Sequence, residues 1–394
     1  MISVNEAKKI IEENISPLEP VEMLLENATG LVLAEDIFAS YDIPAFPQSS
    51  MDGYAFSFNE WKQLGKLKIK GESAAGSENE VKLAPGSAVR IFTGAPLPNG
   101  ADTVIMQEKS KVENGELIIE DEKLQSGNSV RPKGSEIKSG ALALEKGNHL
   151  SAAAIGFLAG IGINKIKVFP NPSVCIIITG NELHQPGSPL KYGQVYESNS
   201  FALLSILKKL SIDGSKVLFA KDSLENVEAT LQTALRNSDV VLLTGGISVG
   251  DYDFVFEAAE KLGVKKLFHK IKQRPGKPLY FGMKGSKLVF GLPGNPSSVL
   301  TCFYQYVLPS LAKLSRRKLE LKKIESLLSK DFQKNTSFTH FLKGQYNGGS
   351  VTILDAQESY RLSSYATANC LVEIDEQVNS CKAGDLVPVY LLPD

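Results

Sequence analysis

An apolar run that ends at Leu243 is followed abruptly by glycines, a serine and two aspartates. The sequence from Leu242 to Asp253 is LLTGGISVGDYD. The segment of residues 239–243 is short, begins with β-branched residues after Asp239 and is apolar on both faces. This pattern is typical of a strand buried inside a parallel sheet. Ligands of such sheets bind beyond the carboxyl ends of the strands, where glycines let backbone N–H groups approach an anion. The segment predicts a phosphate-binding loop, and a glycine turn needed only for geometry is the alternative. The candidate substrate-binding residues are Gly245, Gly246, Ser248, Gly250 and Asp251.

Three carboxylates follow apolar segments that are typical of strands. Glu182 follows the first such segment, Asp222 the second and Asp253 the glycine loop. Crossovers between parallel strands are right-handed, so these loops are expected on one rim of the sheet. Magnesium prefers a few carboxylates together with phosphate oxygens. We therefore predict that Glu182, Asp222 and Asp253 are catalytic residues and ligands of Mg²⁺.

Fixed positive charge is expected at a site for anions, and basic residues cluster around one proline-glycine turn. The predicted catalytic residues of this cluster are Lys270, Arg274 and Lys277, and the turn residues Pro275 and Gly276 are assigned to substrate binding. A solvated basic edge is the alternative, which suits Lys272.

A second turn precedes a long apolar helical pattern and contains Pro293, Gly294, Asn295 and Pro296. The N-terminal dipole of a helix can hold an anionic group, so these four residues are also assigned to substrate binding.

The elements that position these residues form a regular alternation of strands and helices over residues 171–316, which predicts a doubly wound α/β domain. Residues 43–137 and 317–394 alternate as strands and predict two β domains, the second resembling a β-barrel. Residues 3–40 show near-helical spacing, and residues 1–42 plus 138–170 are predicted to form one discontinuous helical domain. The fold class is therefore a multidomain α/β protein.

Length and composition suit a globular chain of several domains, with 394 residues, 43% hydrophobic and 22% charged residues. The formal net charge of -1 gives no general attraction to nucleic acid or to a membrane surface. No targeting or membrane-spanning pattern is visible, so a cytoplasmic location is expected. Scattered cysteines and histidines argue against disulfides and zinc.

Six motifs follow one another along the chain, namely IPxFxxSSMDGYA from Ile43, TGAxxPxGAD from Thr93, TGNEL from Thr179, TGGxSxG from Thr244, RPGKP from Arg274 and GLPGNP from Gly291. In this order they resemble the molybdopterin molybdenumtransferases, called MoeA in bacteria and matching the C-terminal domain of gephyrin. The resemblance covers the chain from about residue 3 to its end. Each motif alone is weak, whereas the ordered set is specific.

The resemblance implies insertion of molybdate into adenylyl-molybdopterin with Mg²⁺-assisted release of AMP. It implies a MogA-like α/β domain and a homodimer whose active site lies between the α/β domain of one subunit and the β domain of the other. Asp52 and Thr93 of the β-rich domain would belong to this active site as catalytic residues. A turn aspartate and an ordinary Thr-Gly turn are the alternatives.

The C-terminal domain follows the family less closely. Lys343 stands where the family usually shows arginine, and a basic residue expected near His340 is missing. Lys343, Ser363 and Ser364 are assigned to substrate binding by this resemblance. Polar residues of ordinary β-turns are the alternative for the serines.

Two other functions remain open from the sequence. One is a non-catalytic scaffold of the gephyrin type that binds pterin or a peptide. The other is a molybdopterin adenylyltransferase, which shares the α/β domain. The three carboxylates favour an enzyme, and the additional β domains argue against the adenylyltransferase. The expected partners are small-molecule substrates and a second copy of the chain, with transient contacts to the adenylyltransferase and to molybdoenzymes.

Overall fold

The computed structural model describes residues 1–77, 79–246 and 254–393. The chain divides into two compact units. Unit 1 comprises Met1–Glu22, Gly30–Val32 and Lys167–Asp394, and unit 2 comprises Met23–Thr29 and Leu33–Ile166. Three strands lie where the chain passes from one unit to the other, at Val21–Leu24, Val32–Leu33 and Lys165–Phe169. Within the described ranges, no helix combines the length and apolar character that a bilayer span requires.

Unit 1 contains a six-stranded sheet that confirms the strands predicted in the α/β domain. In spatial order its strands are Lys216–Ala220, Val174–Thr179, Val240–Thr244, Lys287–Leu292, Tyr280–Lys284 and Lys265–His269. The first four are parallel, and the last two join antiparallel at one edge. Because Thr244 pairs with Ile178 on one side and Leu292 on the other, the carboxyl ends of three parallel strands lie together.

Helices cover both faces of this sheet. The helical segments of unit 1 are Val4–Asn14, Asn199–Lys209, Leu224–Asn237, Phe254–Lys261, Pro296–Cys302, Phe303–Val307 (a π-helical turn), Leu308–Ser315 and Ser363–Thr367. Alternate residues of one central strand enter two separate hydrophobic clusters, Ile176 in one and Ile177 in the other. Side chains of a strand alternate between faces, so both faces are buried and the doubly wound prediction is confirmed.

The C-terminal part of unit 1 is a closed five-stranded barrel. Its strands, in spatial order, are Thr339–Tyr346, Ser350–Ile353, Lys322–Leu328, Leu386–Leu391 and Cys370–Ile374, and the last pairs back onto the first. Shorter strands accompany it at Gln273–Arg274, Phe332–Gln333 and Ser380–Cys381, and a further pair near the α/β sheet is Leu183–His184 with Val195–Tyr196. A turn follows Tyr346, in which the side chain of Asn347 accepts the N–H groups of Gly349 and Ser350.

Unit 2 is β-rich, as predicted for residues 43–137. Its six-stranded sheet has the order Thr103–Met106, Gly53–Phe56, Ser87–Ile91, Leu67–Ser73, Glu116–Ile119 and Ser110–Glu113. Its remaining elements are the strands Ile37–Phe38, Gln48–Ser49, Val130–Arg131 and Leu142–Leu144, the helices Phe58–Leu64 and Ala152–Gly160, and the 3-10 turns Leu25–Asn27 and Gln107–Lys109. Asn114 and Gly115 form the turn of the hairpin between the strands Ser110–Glu113 and Glu116–Ile119, with both residues at positive φ.

The helical prediction for residues 3–40 is wrong beyond Asn14. The helix Val4–Asn14 packs Val4, Ala7 and Ile11 into the core of unit 1. Beyond it the chain forms short strands and a 3-10 turn. Pro17 and Pro20 disfavour a helical conformation at the residues before them and lack the N–H that a helix interior requires, which ends the helical pattern.

Candidate active site

A cavity of about 630 Å³ opens beside the carboxyl ends of the parallel strands in unit 1. Seven predicted residues line it, namely Glu182, Gly245, Gly246, Pro293, Gly294, Asn295 and Pro296. Its other lining residues include Thr179, Tyr196, Asn199, Thr244 and Tyr360, which the sequence interpretation did not assign. The structure therefore brings the glycine loop, one carboxylate and the second turn to the same cavity.

The two glycines after the strand Val240–Thr244 are required by close packing. Gly245 has φ of +86°, and a Cβ there would lie 2.8 Å from the carbonyl oxygen of Thr179. A Cβ on Gly246 would lie 3.1 Å from the Thr179 hydroxyl, again at positive φ. Any side chain would strain the backbone and displace the end of the neighbouring strand. Backbone conformation and packing are therefore sufficient to explain why both positions are glycine. Their small size also keeps this side of the cavity open.

The predicted carboxylates differ in their surroundings. Glu182 lines the cavity, and its carboxylate oxygens lie against the backbone of Gly180. Asp222 does not line the cavity, and its carboxylate accepts the Asn181 N–H at 2.9 Å. Asp222 therefore holds the residue that precedes Glu182.

Among residues 1–77, 79–246 and 254–393, no three acidic, histidine or cysteine side chains cluster as a metal site would require. The third predicted ligand, Asp253, lies outside these residues, as do Ser248, Gly250 and Asp251 of the predicted loop. Of the three predicted ligands, Glu182 and Asp222 are described, and each offers carboxylate oxygens that a metal ion could bind. This set suits magnesium, because Mg²⁺ commonly binds one or two carboxylates, water and substrate phosphate.

The basic turn lies beside the barrel, and its lysines and arginine do not line the described cavity. Arg274 is exposed and pairs in register with His340 of the barrel strand Thr339–Tyr346. The ammonium of Lys277 lies 5.8 Å from the ring centre of Phe338, and Lys270 adopts a positive φ of 70°. Lys272 forms an ion pair of 3.7 Å with Glu376, in agreement with the solvated edge considered for it.

Pro275 and Gly276 are buried, and Gly276 packs against the helix Pro296–Cys302. A Cβ on Gly276 would lie 2.5 Å from the Cys302 sulfur and 2.6 Å from the Gln273 side-chain nitrogen. Gln273 is itself fully buried and donates to the Pro275 carbonyl at 2.9 Å. The turn is thus held rigidly from inside the protein.

Replacement of Gly276 with alanine should destabilise the protein by roughly 3 kcal/mol, because the new methyl group overlaps two buried side chains at a positive φ. The matched control is Gly348→Ala, where φ is +96° but no atom lies within 4 Å of the new Cβ. That control carries only the backbone strain, about 1–2 kcal/mol. Thermal unfolding of both variants measures the difference, and equal losses would contradict the packing argument.

The loop 355–362 carries Tyr360 into the cavity and is fastened to the barrel by Lys343. The Lys343 side chain is 1% exposed, and its ammonium donates to the carbonyls of Arg361 at 3.2 Å and Glu358 at 3.4 Å. Burial lowers the pKa of this lysine. The Lys343 ammonium is therefore bound by the backbone of the loop and holds the part of the cavity wall that carries Tyr360.

The two predicted serines lie next to this loop. Ser364 is buried, and its hydroxyl donates to the Ala356 carbonyl at 2.6 Å, whereas Ser363 is exposed at the start of a short helix. On the far side, the Asn295 side chain donates to the Ser359 hydroxyl at 2.8 Å. These contacts hold the loop between the barrel and the α/β domain. No local sequence pattern signals such a position for Tyr360, since it depends on contacts distant along the chain.

His340 is a buried histidine on the barrel beside Arg274. Its ring nitrogen lies 2.8 Å from the Thr336 hydroxyl, and burial, together with the charges of Arg274 and Lys334, lowers its pKa to about 4. An unfolded histidine binds a proton near pH 6.5. The unfolded state therefore gains protons that the folded state does not bind as the pH falls from 6.5 to 4, and stability is lost over that range.

The melting temperature of the wild type should consequently fall more steeply than that of His340→Gln between pH 7 and pH 4.5. Over this pH range the wild type should lose at most about 2–3 kcal/mol more free energy of unfolding than His340→Gln. His149→Gln, which changes an exposed histidine of unit 2, is the control and should follow the wild type. Parallel curves for the wild type and His340→Gln would refute the assignment.

In unit 2, the side chain of Asp52 contacts Thr93. One carboxylate oxygen of Asp52 accepts both the Thr93 hydroxyl and the Thr93 backbone N–H, each at 2.7 Å. These two hydrogen bonds lower the pKa of Asp52, and the nearby charge of Arg90 acts in the same direction. Asp52 is exposed, so a fixed anionic carboxylate is presented at the surface of this unit.

Comparison with known proteins agrees with these features along the whole chain. Three family models match, the MoeA N-terminal region (domain I and II) at residues 2–162, a probable molybdopterin binding domain at 175–313 and the MoeA C-terminal region (domain IV) at 326–392. The fold and the cavity thus define a multidomain α/β protein built around a domain of the molybdopterin-binding type.

Relatives over the full length give the family. The molybdopterin molybdenumtransferase of Haemophilus influenzae is 32% identical over 397 residues, which cover 99% of this chain and 98% of that protein. The enzyme of the same name from Staphylococcus epidermidis is 33% identical, covering 99% and 95%. The chain belongs to the molybdopterin molybdenumtransferase family, a family of enzymes of molybdenum cofactor biosynthesis.

Solved structures show the same fold. A molybdopterin biosynthesis MoeA protein from Pyrococcus horikoshii has a TM-score of 0.81 at 33% identity, with 99% of both chains covered. A second structure of a MoeA protein from that organism has a TM-score of 0.74 at 28% identity and covers 100% of both chains. The multidomain α/β prediction is confirmed.

Proposed function

We propose that this enzyme inserts molybdate into adenylyl-molybdopterin and releases AMP with the assistance of Mg²⁺. The observation that carries the proposal is the cavity at the carboxyl ends of the parallel strands, lined by two required glycines and by Glu182. Membership of the family over 99% of the chain supports the choice of substrate. A cavity of about 630 Å³ accommodates a small organic phosphate.

Glu182 and Asp222 are the described residues that would hold the magnesium ion, with Asp253 as a further candidate. When bound, the ion neutralises charge that develops on phosphate oxygens as a phosphoanhydride bond breaks. Asp222 also accepts the Asn181 N–H and thereby fixes the backbone that carries Glu182. The chain's own contribution is the Glu182 carboxylate in the wall of a glycine-lined cavity, on a backbone that Asp222 holds through Asn181.

The basic turn supports binding of the second substrate, the oxyanion. Arg274 and Lys277 are exposed, while the buried Gln273, Pro275 and Gly276 hold the turn between them. Guanidinium and ammonium groups bind tetrahedral oxyanions through charge-assisted hydrogen bonds, and arginine adds bidentate geometry. Molybdate and tungstate have the same charge and similar size, so this turn alone does not select between them.

We further propose a homodimer in which Asp52 and Thr93 of one subunit complete the active site of the other. The support is the family resemblance together with the rigid, ionised presentation of Asp52 on unit 2. A cytoplasmic location and transient contacts with the adenylyltransferase and with molybdoenzymes stay predictions. The contacts are expected because such an enzyme receives adenylylated pterin from one protein and passes finished cofactor to another.

The experiment that tests the function separates it from both alternatives. Purified protein is incubated with adenylyl-molybdopterin and Mg²⁺, with molybdate or tungstate titrated, and AMP is quantified. AMP release that requires the oxyanion supports the transferase, and comparison of the two titrations ranks the oxyanions. Tight binding of adenylyl-molybdopterin without release would establish a scaffold. Conversion of molybdopterin and ATP to the adenylylated form would establish an adenylyltransferase.

A further inference from the structure

Two residues that line the cavity carry a buried polar atom without a hydrogen-bond partner among the described residues. The side-chain oxygen of Asn199 and the hydroxyl of Thr244 form no hydrogen bond to any described residue. Both residues line the cavity, and they are only 8% and 1% exposed. Buried polar groups are nearly always paired, because an unpaired one loses its bonds to water without replacement. Their position therefore points to a ligand.

The orientation of Asn199 is fixed by the protein. Its side-chain nitrogen donates to the carbonyl of Gly294 at 2.9 Å. A flipped amide would place two oxygen acceptors against each other, so the nitrogen must face Gly294 and the oxygen is the group left over. The carboxylate of Glu197 accepts the N–H and hydroxyl of Ser200, which fixes the start of the helix that carries Asn199. Asn199 therefore presents a rigid hydrogen-bond acceptor.

Thr244 is the last residue of the strand Val240–Thr244 and lines the same cavity as Asn199. Its carbonyl accepts the Thr179 hydroxyl at 3.2 Å, while its own hydroxyl has no partner among the described residues. A Cβ built on Gly294 would lie 3.8 Å from the Cα of Gly245, so the loop that anchors Asn199 meets the residue after Thr244. The backbone segments that adjoin Asn199 and Thr244 therefore meet in the wall of the cavity.

We propose that Asn199 and Thr244 recognise the N–H edge of a planar heteroaromatic ring of the substrate. The acceptor of Asn199 requires a donor, and the Thr244 hydroxyl can donate or accept a hydrogen bond in the same cavity. Tyr196 and Tyr360, both on the cavity wall, add apolar surface of the kind that packs on such a ring. The inference rests on the proposed function, since adenylyl-molybdopterin carries two amino-substituted rings, the pterin and the adenine.

A site with buried, preoriented polar groups discriminates strongly, because an analogue that lacks the donor leaves those groups unpaired. The experiment compares two pairs of probes by isothermal titration. AMP is compared with IMP, in which a carbonyl replaces the amino group, and pterin is compared with lumazine, which carries the same replacement. The wild type should prefer the amino form of one pair by about tenfold. The pair that shows the preference identifies the ring.

Thr244→Val and Asn199→Ala should each weaken binding of that probe by about tenfold and reduce the preference. Thr244→Val removes no described hydrogen bond, so its melting temperature should equal that of the wild type or exceed it. The matched control is Thr301→Val, since the buried Thr301 hydroxyl donates to the Ser297 carbonyl at 2.9 Å and lies outside the cavity lining. The control should lower the melting temperature and leave probe binding unchanged.

Loss of binding in Thr244→Val with a wild-type melting temperature supports the proposal even if Asn199→Ala fails to fold. Absence of an amino preference in both pairs, or unchanged preference in Thr244→Val, overturns it. These binding measurements do not depend on turnover. A protein that discriminates the probes but releases no AMP would retain this inference while the proposed reaction fails.

Discussion

Replacing Glu182 with glutamine should lower the rate of AMP release at least hundredfold while leaving the fold intact. Glu182 is the predicted carboxylate that lines the cavity, and glutamine keeps its shape but removes the charge that would hold a divalent cation. Loss of metal assistance removes several kcal/mol of charge stabilisation in phosphoanhydride cleavage. The measurement is kcat for AMP release over a titration of Mg²⁺, in which the variant should need far more magnesium.

The control for this prediction is Glu225→Gln, which neutralises an exposed carboxylate of the same domain outside the cavity. It should match the wild type in rate and in magnesium dependence. A Glu182→Gln enzyme with normal kcat and normal magnesium dependence would remove Glu182 from the proposed metal site. A large loss of thermal stability in that variant would instead indicate a structural role.

Replacing Asp52 with asparagine should also lower kcat at least hundredfold, the range typical of a charged group that acts in the transition state. The asparagine oxygen can still accept the two bonds that Thr93 donates, so the loop geometry should persist. The variant therefore tests the charge alone. Because those bonds lower the pKa of Asp52, the wild-type carboxylate stays ionised well below neutral pH, and its loss should not be mimicked by mild acid.

Thr93→Val is the companion variant, since it removes one of the two bonds and keeps the carboxylate. A reduction of about tenfold is expected, corresponding to one hydrogen bond to a charged group. Wild-type kcat in Asp52→Asn would contradict a catalytic role and favour the turn aspartate considered from the sequence.

Mixing the Asp52→Asn and Glu182→Gln proteins tests whether these residues act across subunits. If each site combines Glu182 of one subunit with Asp52 of the other, a mixed dimer contains one intact site. Statistical mixing should then restore about a quarter of wild-type activity from two inactive proteins. If both residues act within one chain, every site carries a lesion and no activity returns.

Much of the α/β domain follows from local sequence. The strands ending at Thr179 and Thr244 are short apolar runs buried on both faces, and the glycines after Thr244 signal the loop because only glycine suits such positions. The helical segment predicted after Pro20 shows the limit, since near-helical spacing in residues 21–40 belongs to short strands and a 3-10 turn. Periodicity over few residues does not separate these alternatives.

The parts that sequence did not predict depend on contacts distant along the chain. Tyr360 reaches the cavity because Lys343 and Asn295, from other elements, hold its loop. Asn199 and Thr244 stand out because each carries a buried polar atom that no other described residue pairs with, which no local motif reveals. The resemblance supplied Asp52 and Thr93 as active-site residues, whereas their hydrogen bonds became visible only in the folded unit.

The most direct test of the proposed reaction is the stoichiometry of a single turnover. Enzyme in excess is mixed with adenylyl-molybdopterin, Mg²⁺ and molybdate, and both released AMP and molybdenum bound to the pterin product are quantified at each time point. The proposed reaction predicts that the two rise together in equal amounts and that neither forms without molybdate. AMP release at the same rate without molybdate, or molybdenum uptake without AMP release, would contradict it.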